Sequence, residues 1–347
     1  MKTPNFKITI FILFATLSFT LSGQIVNPKI STLKKTSTET TPRSSKANAD
    51  AMISICRAFG TSNEYLVSAT NCPLSQAPAL GDFRLWYNNG DHKVRTIGIL
   101  HEQGSLLAKY SDQNGDDPFH VEANFINVPG ATGGTISAAG SGTFNIQLPT
   151  KPANTTLVIS GFLFERLSGT DNNIRTMSIK MDQENSLAQV SFIDDQREDY
   201  RSVDANAIVS GSLLVVPFGT IISTALSLEQ IAKAAINEGK NTARPYAITL
   251  QYAFIPNSRV FKNGSLSGTS RGKGLSQGQL PTWTTLAYRA FVLRFNNSDH
   301  HILGVGIHLN GMATFPGQRG FESDAITWQD NNTDDPIQWL VDYSELK

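Results

Sequence analysis

Two stretches of this 347-residue chain carry closely spaced acidic and amide side chains that could bind a cation. They read DQNGDDP at 112–118 and DNNTDDP at 330–336. Oxygens at the first, third and fifth positions of a tight loop resemble the opening of a calcium-binding loop, and calcium takes six to eight oxygen ligands. The sequence therefore predicts divalent-cation sites, with calcium as the expected ion, at Asp112, Asn114, Asp116, Asp117, Asp330, Asn332, Asp334 and Asp335.

An ordinary turn is the alternative interpretation of these loops. Asp and Asn side chains cap backbone N–H groups in turns, and a proline ends such a loop. A turn explains Asp112 and Pro118, but it leaves the neighbouring carboxylates of Asp116 and Asp117 without a neutralising charge. Neither loop has the terminal glutamate or the flanking helices of an EF-hand. Both interpretations stay open on the sequence.

A second pair of polar turns precedes the acidic loops, NNGDH at 88–92 and NNSDH at 296–300. If the strands form a meander, each turn lies at the same end of the sheet as the acidic loop that follows it. Trp86 alternates away from Phe83 and Tyr87, which predicts that it faces outward. We therefore expect ligand contacts from Trp86, Asn88, Asn89, Asp91, His92, Asn296, Asn297, Asp299 and His300.

The adjacent Asp and His in these turns could act as an acid and base pair. Neighbouring residues of a strand point to opposite faces, however, which separates the two side chains. The chain also lacks a GxSxG, an HExxH and a glycine-rich phosphate loop. Turn capping or ligand contact is favoured over catalysis, and the sequence leans against an enzyme.

An internal repeat organises the chain. Residues 83–99 and 291–307 agree at eight of 17 positions without a gap, and the acidic loops follow in the same order. A weaker copy lies at 162–179 and 192–206. Preserved order and spacing predict related structural units. We place them at 53–147, 148–240 and 241–347.

The repeated unit has the pattern of β-structure. LLAKYS and FHVEANFI alternate apolar and polar residues, which is the period of a half-buried strand, and Asn-Gly and Asp-rich segments between them favour turns. The predicted fold is all-β, with tandem antiparallel β-sandwich (jelly-roll-like) units. One inserted helix is predicted near 227–238, where Ser227 and Gln230 form a capping box and Gly239 ends the helix.

The N-terminal region predicts export. Residues 1–23 read as a signal peptide, with two lysines before an apolar run that is too short for a spanning helix. Residues 24–52 are rich in Ser, Thr and Lys and are predicted to be a disordered linker. Cys56 and Cys72 are the only cysteines and are expected to form a disulfide, as in secreted or periplasmic proteins.

Composition excludes some functions. Lys plus Arg and Asp plus Glu both number 29, so the formal charge is zero, which argues against nucleic-acid binding. Only 17% of residues are charged, which excludes a coiled coil.

The sequence favours an exported binding protein that recognises a glycan or a cell-surface polymer, with calcium in the acidic loops. A membrane-active protein is one alternative, suggested by the uncharged run at 208–226 and the Gly/Ser-rich stretches at 133–148 and 263–280. A secreted hydrolase that uses the repeated Asp and His is the other.

Overall fold

Strands make up most of the chain that the structure describes, and several of them alternate buried and partly exposed residues. In the segment SLLAKYS, for example, Leu106, Ala108 and Tyr110 are buried, and the residues between them are partly exposed. The structure is a computed structural model. It describes residues 52–88, 90, 92–112, 117–167, 173–194, 215–216, 245–271, 273–276, 285–297, 300–310, 324–330 and 335–347.

The strands fall into three groups by their pairing. The first group is β1 Ser54–Asn63, β2 Tyr65–Ala69, β3 Ala79–Tyr87, β4 Thr96–Glu102, β5 Ser105–Ser111 and β6 Pro118–Asn127. The middle group is β7 Thr132–Ser141, β8 Thr143–Gln147, β9 Thr155–Arg166, β10 Thr176–Asp182, β11 Leu187–Ile193, β12 Val215–Val216 and β13 Pro245–Pro256. The third group is β14 Val260–Arg271, β15 Lys273–Ser276, β16 Thr285–Phe295, β17 Gly304–Ile307, β18 Asp324–Gln329 and β19 Pro336–Leu346.

Each group contributes the same two sets of three antiparallel strands. One set is β1-β6-β3 in the first group, β7-β13-β9 in the middle group and β14-β19-β16 in the third. The other set is β2-β5-β4, β8-β11-β10 and β15-β18-β17. The two-residue strand β12 pairs with β7 in addition.

The two kinds of set are joined between groups in a closed ring. β4 pairs with β9, β10 with β16, and β17 with β3, each time in the same register. Three six-stranded sheets result, each built from two groups. A single pair between Arg271 and Lys273 links two of these sheets, so that the strands trace one 12-stranded and one 7-stranded sheet.

The core lies where the three sheets meet. Phe83, Phe162 and Phe291 occupy equivalent positions of β3, β9 and β16, and their ring centroids lie 5.2, 5.3 and 5.7 Å apart in pairs. All three rings are fully buried and belong to one apolar cluster with residues of all three groups. Burial of each ring stabilises the fold by about 2–3 kcal/mol.

The predicted disulfide between Cys56 and Cys72 is confirmed, with a Cα–Cα distance of 5.3 Å. It holds the segment after β2 against the outer edge of β1. There the Arg57 N–H donates to Asn71 Oδ1 at 2.6 Å, and the Asn71 N–H donates to the Arg57 carbonyl at 3.0 Å. Because these bonds occupy the edge of β1, they oppose pairing with another chain.

The predicted all-β, antiparallel, sandwich-type fold is confirmed. The sheets are shared between groups, so a group is not a separate sandwich. The groups also begin and end at other residues than the predicted units 53–147, 148–240 and 241–347, which were drawn from residue matches rather than from pairing. The Gly/Ser-rich stretch at 133–148 forms parts of β7 and β8.

Several predicted segments lie outside the described residues. They are the signal peptide at 1–23, nearly all of the linker at 24–52, the helix at 227–238 and, apart from β12, the uncharged run at 208–226. Within the described residues, no helix has the length and hydropathy needed to cross a membrane.

Candidate metal centres

Within the part of the chain that the structure describes, two sets of one histidine and two aspartates converge at the turns of the first and third groups. In the first centre, His92 Nδ1 lies 3.0 Å from Asp112 Oδ2 and 3.3 Å from Asp117 Oδ2. The second centre repeats this arrangement. His300 Nδ1 lies 2.9 Å from Asp330 Oδ2 and 3.3 Å from Asp335 Oδ2.

The fold brings each histidine to its aspartates by the same route. His92 lies in the turn from β3 to β4, and the aspartates flank the loop from β5 to β6. The Asn88 N–H donates to the Pro118 carbonyl at 3.2 Å, which ties the two turns together. In the second centre the Asn296 N–H donates to the Pro336 carbonyl at 2.8 Å. The repeated backbone bond explains why residues about 20 apart in the first group become neighbours.

An aromatic ring supports each imidazole. The ring of Tyr87, at the end of β3, lies 3.9 Å from the His92 ring between centroids. Phe295, at the end of β16, lies 4.3 Å from the His300 ring. The histidine side chains are only 13% and 15% exposed, and the aspartates range from 7% to 20%. The side chains of both centres are therefore largely shielded from water.

The hydrogen bonds of Asn297 fix the proton of His300. Asn297 Nδ2 donates to Asp335 Oδ1 at 2.6 Å, so the amide oxygen faces His300 Nε2 at 3.0 Å. An amide oxygen only accepts, and His300 Nε2 must therefore carry the hydrogen. In a neutral imidazole Nδ1 then holds a lone pair, and it faces two carboxylates.

A lone pair directed at two carboxylates is unfavourable unless a positive charge lies between them. A proton on Nδ1 would supply that charge, and so would a metal ion. Two donors bound to one ion at about 2.0–2.3 Å lie roughly 2.8–3.8 Å apart, from octahedral to tetrahedral geometry, and the separations from Nδ1 given above fall in this range. In each centre the three donor atoms lie within 4.8 Å of one another. Both centres could therefore hold a metal ion.

The middle group has a different arrangement at the same place. Asp194 follows β11 as Asp112 follows β5 and Asp330 follows β18. Arg166 ends β9, and its Nη2 lies 3.8 Å from Asp194 Oδ2. The guanidinium lies over the Phe192 ring, 4.7 Å from its centroid. The Asp in this group thus faces an arginine.

The structure brings together part of the predicted site. Asp112, Asp117, Asp330 and Asp335, predicted as cation ligands, meet His92 and His300, which were predicted as ligand contacts and not as cation ligands. The pairing of these turns was inferred from a meander, but the involvement of an imidazole nitrogen was missed. The available signal was the histidine that ends both turns, NNGDH and NNSDH, at the same distance from the preceding strand.

The remaining predicted residues divide into three kinds. Asn88, Asn296 and Asn297 are exposed beside the centres. Trp86 is only 4% exposed and stacks on the His120 ring at 5.0 Å between centroids. The rest lie outside the described residues, namely Asn89, Asp91, Asn114, Asp116, Asp299, Asn332 and Asp334.

The sequence matches no protein-family model and no curated protein. The geometry of the two centres is therefore the guide to function.

Proposed function

We propose that this is an exported binding protein whose two His–Asp–Asp centres hold divalent cations and organise a binding surface for a glycan or cell-surface polymer. The duplicated centre carries the proposal. The same three donors recur with separations that differ by 0.1 Å at most. A loop that only stabilised the turn would not need to direct two carboxylates at one imidazole nitrogen in both groups.

Export is supported by two independent features. The predicted signal peptide precedes the folded region, and the Cys56–Cys72 disulfide is of the kind that persists in oxidising compartments. Secretion or a periplasmic or cell-surface location follows from the proposal.

The closeness of the two centres supports a polymeric ligand. His92 pairs with Ile302, which lies two residues after His300. Strand pairing and rise place the two histidine Cα atoms within about 12 Å of each other. Two weak sites at this spacing gain avidity for a ligand that repeats the same chemical group. Sugar hydroxyls are oxygen donors that could complete the coordination of an ion.

The histidines change the expected ion. Calcium was expected from the oxygen-rich loops, and calcium prefers oxygen ligands only. One imidazole nitrogen with two carboxylates instead suits a cation such as Zn²⁺ or Mn²⁺. We therefore propose a transition-metal divalent cation, with Ca²⁺ as the comparison.

The experiment is binding of the mature protein to a panel of insoluble polysaccharides and bacterial cell walls. The protein is stripped with EDTA and assayed alone and with Mn²⁺, Zn²⁺ or Ca²⁺. We expect retention on at least one polymer that requires a cation and is lost in the double variant D112N/D330N. The control is Glu184→Gln, which removes an exposed carboxylate from the turn between β10 and β11. If the protein is retained equally well after EDTA treatment and in the double variant, the proposal is wrong.

A further inference from the structure

We propose that Arg166 is a permanent cation that neutralises Asp194 of the middle group, whereas the other two groups bind a metal ion at the equivalent aspartate, so that the chain binds two divalent ions and not three. This inference rests on the cation sites of the proposed function and specifies their number and the chemistry of the third position.

The backbone shows that Arg166 is equivalent to Tyr87 and Phe295. The N–H of Tyr87 donates to the Leu303 carbonyl at 2.9 Å, in the turn of the third group. The N–H of Phe295 donates to the Arg175 carbonyl at 3.0 Å, in the middle group.

Arg166 closes this cycle of bonds. Its N–H donates to the Arg95 carbonyl at 2.9 Å, in the first group. The last residue of β3, β9 and β16 therefore makes the same bond to the next group, and the three positions correspond around the ring.

The side chains at these positions also have equivalent neighbours. Tyr110, Phe192 and Trp328 are the second-last residues of β5, β11 and β18. The Tyr87 ring lies 4.2 Å from the Tyr110 ring, and the Phe295 ring lies 5.5 Å from the Trp328 ring. The guanidinium of Arg166 takes the corresponding place over Phe192 at 4.7 Å. A neutral ring in two groups is thus replaced by a charged group in the middle one.

The positive charge of Arg166 neutralises the buried carboxylate of Asp194. The side chains of Arg166 and Asp194 are 2% and 5% exposed. A buried carboxylate is costly without a positive partner, and the arginine guanidinium stays charged at every relevant pH. The middle group therefore neutralises its aspartate without an exchangeable ion. In the first and second centres the equivalent residues, Tyr87 and Phe295, are neutral. The carboxylates there must be neutralised by the histidine or by a bound ion.

The number of bound ions tests this inference. The EDTA-stripped protein is dialysed against Mn²⁺ or Zn²⁺, and the metal per chain is measured by elemental analysis. We expect two ions in the native chain, one in Asp112→Asn and none in D112N/D330N. Asp194→Asn should keep both ions and have a lower unfolding midpoint than the native chain. Added metal should raise the midpoints of the two proteins by the same amount.

A second pair of variants keeps the test decisive if Asp194→Asn does not fold. Arg166→Lys preserves the charge and should bind two ions with a midpoint near that of the native chain. Arg166→Met removes the cation that faces Asp194 and should lower the unfolding midpoint. The difference from the native chain should be the same with and without added metal. Three ions in the native chain, or loss of one ion in Asp194→Asn, would overturn the inference and leave the proposed function standing. No bound ion in the native chain would overturn both.

Discussion

The main chain of His92 is hydrogen-bonded in both directions to that of Ile302, at 3.1 and 2.8 Å. Ile302 lies two residues after His300, so one short paired segment connects the two centres. The same relationship links His300 to Ile174 of the middle group, at 3.2 and 2.8 Å. A ligand that restrains His300 therefore also restrains the backbone segment that pairs with His92.

This connection predicts that the two centres bind cations cooperatively. An ion in the second centre fixes His300 and the residues that pair with His92, so the first centre then loses less entropy on binding. We expect Asp330→Asn to weaken the remaining site by about three- to tenfold, a coupling of roughly 1 kcal/mol. Calorimetric titration with Mn²⁺ measures this. If the first centre of Asp330→Asn binds Mn²⁺ as tightly as the two centres of the native chain, the centres are not coupled.

Asn297 is predicted to set the affinity of the second centre through the orientation of His300. Removing a residue that hydrogen-bonds to a metal ligand typically weakens metal binding about 10- to 100-fold, so we expect Asn297→Ala to weaken ion binding by about that factor. Asn296→Ala is the matched control, because the bond from Asn296 to Pro336 is made by the main chain and survives. Similar affinities for the two variants would show that Asn297 does not position the imidazole.

Asp82 is predicted to hold the first and third groups together. Its carboxylate is fully buried and accepts from the Tyr288 hydroxyl at 2.7 Å and from the N–H groups of Leu309 and Asn310 at 3.0 Å each. Asp82→Ala leaves these donors without an acceptor and should lower the free energy of unfolding by about 3–5 kcal/mol. Tyr288→Phe should cost about 1.5–3 kcal/mol. Urea unfolding measures both, and a loss below about 1 kcal/mol for Asp82→Ala would refute the role.

His101 is predicted to make the fold sensitive to acid. Burial lowers its pKa to about 3, and its Nε2 bonds Ser160 Oγ at 2.8 Å. Below the unfolded pKa of about 6.5, the unfolded chain binds a proton that the native chain does not. The contribution of His101 is therefore full above pH 6.5 and declines as the pH falls toward 3, by up to about 5 kcal/mol.

The variant His101→Met isolates this effect, because Met181 occupies the equivalent position of β10. We expect the free energy of unfolding of the variant to fall less steeply between pH 6.5 and pH 4 than that of the native chain. Parallel curves in this range would assign the acid sensitivity to other groups.

The sequence predicted what depends on local pattern. Alternation identified the strands, as at Leu106, Ala108 and Tyr110, and spacing in an oxidising context identified the disulfide. It also indicated that the turn at 88–92 and the loop at 112–118 lie together. The meander on which that inference rested is wrong, because β3 pairs with β6 and β4 with β5, in different sheets.

Pairing between groups could not be predicted, because no local pattern specifies that Ile99 pairs with Phe162 rather than with a residue of its own group. The geometry of the centres was missed for a related reason. Alternation places neighbouring residues on opposite faces, yet the turn directs His92 toward the aspartates. Trp86 was expected to be available to a ligand, but it stacks on His120 and is only 4% exposed.

The closed ring of sheets also determines when this protein can fold during its synthesis. Ile307 pairs with Phe83, more than 200 residues earlier, and β17 and β18 complete the sheet that β1, β6 and β3 begin. Such long-range pairing makes folding slow. The N-terminal part of the chain leaves the ribosome with its sheet incomplete, and it gains its partner only when nearly the whole polypeptide has been made. This delay fits the proposed export, because a chain must be unfolded to be threaded through an export channel.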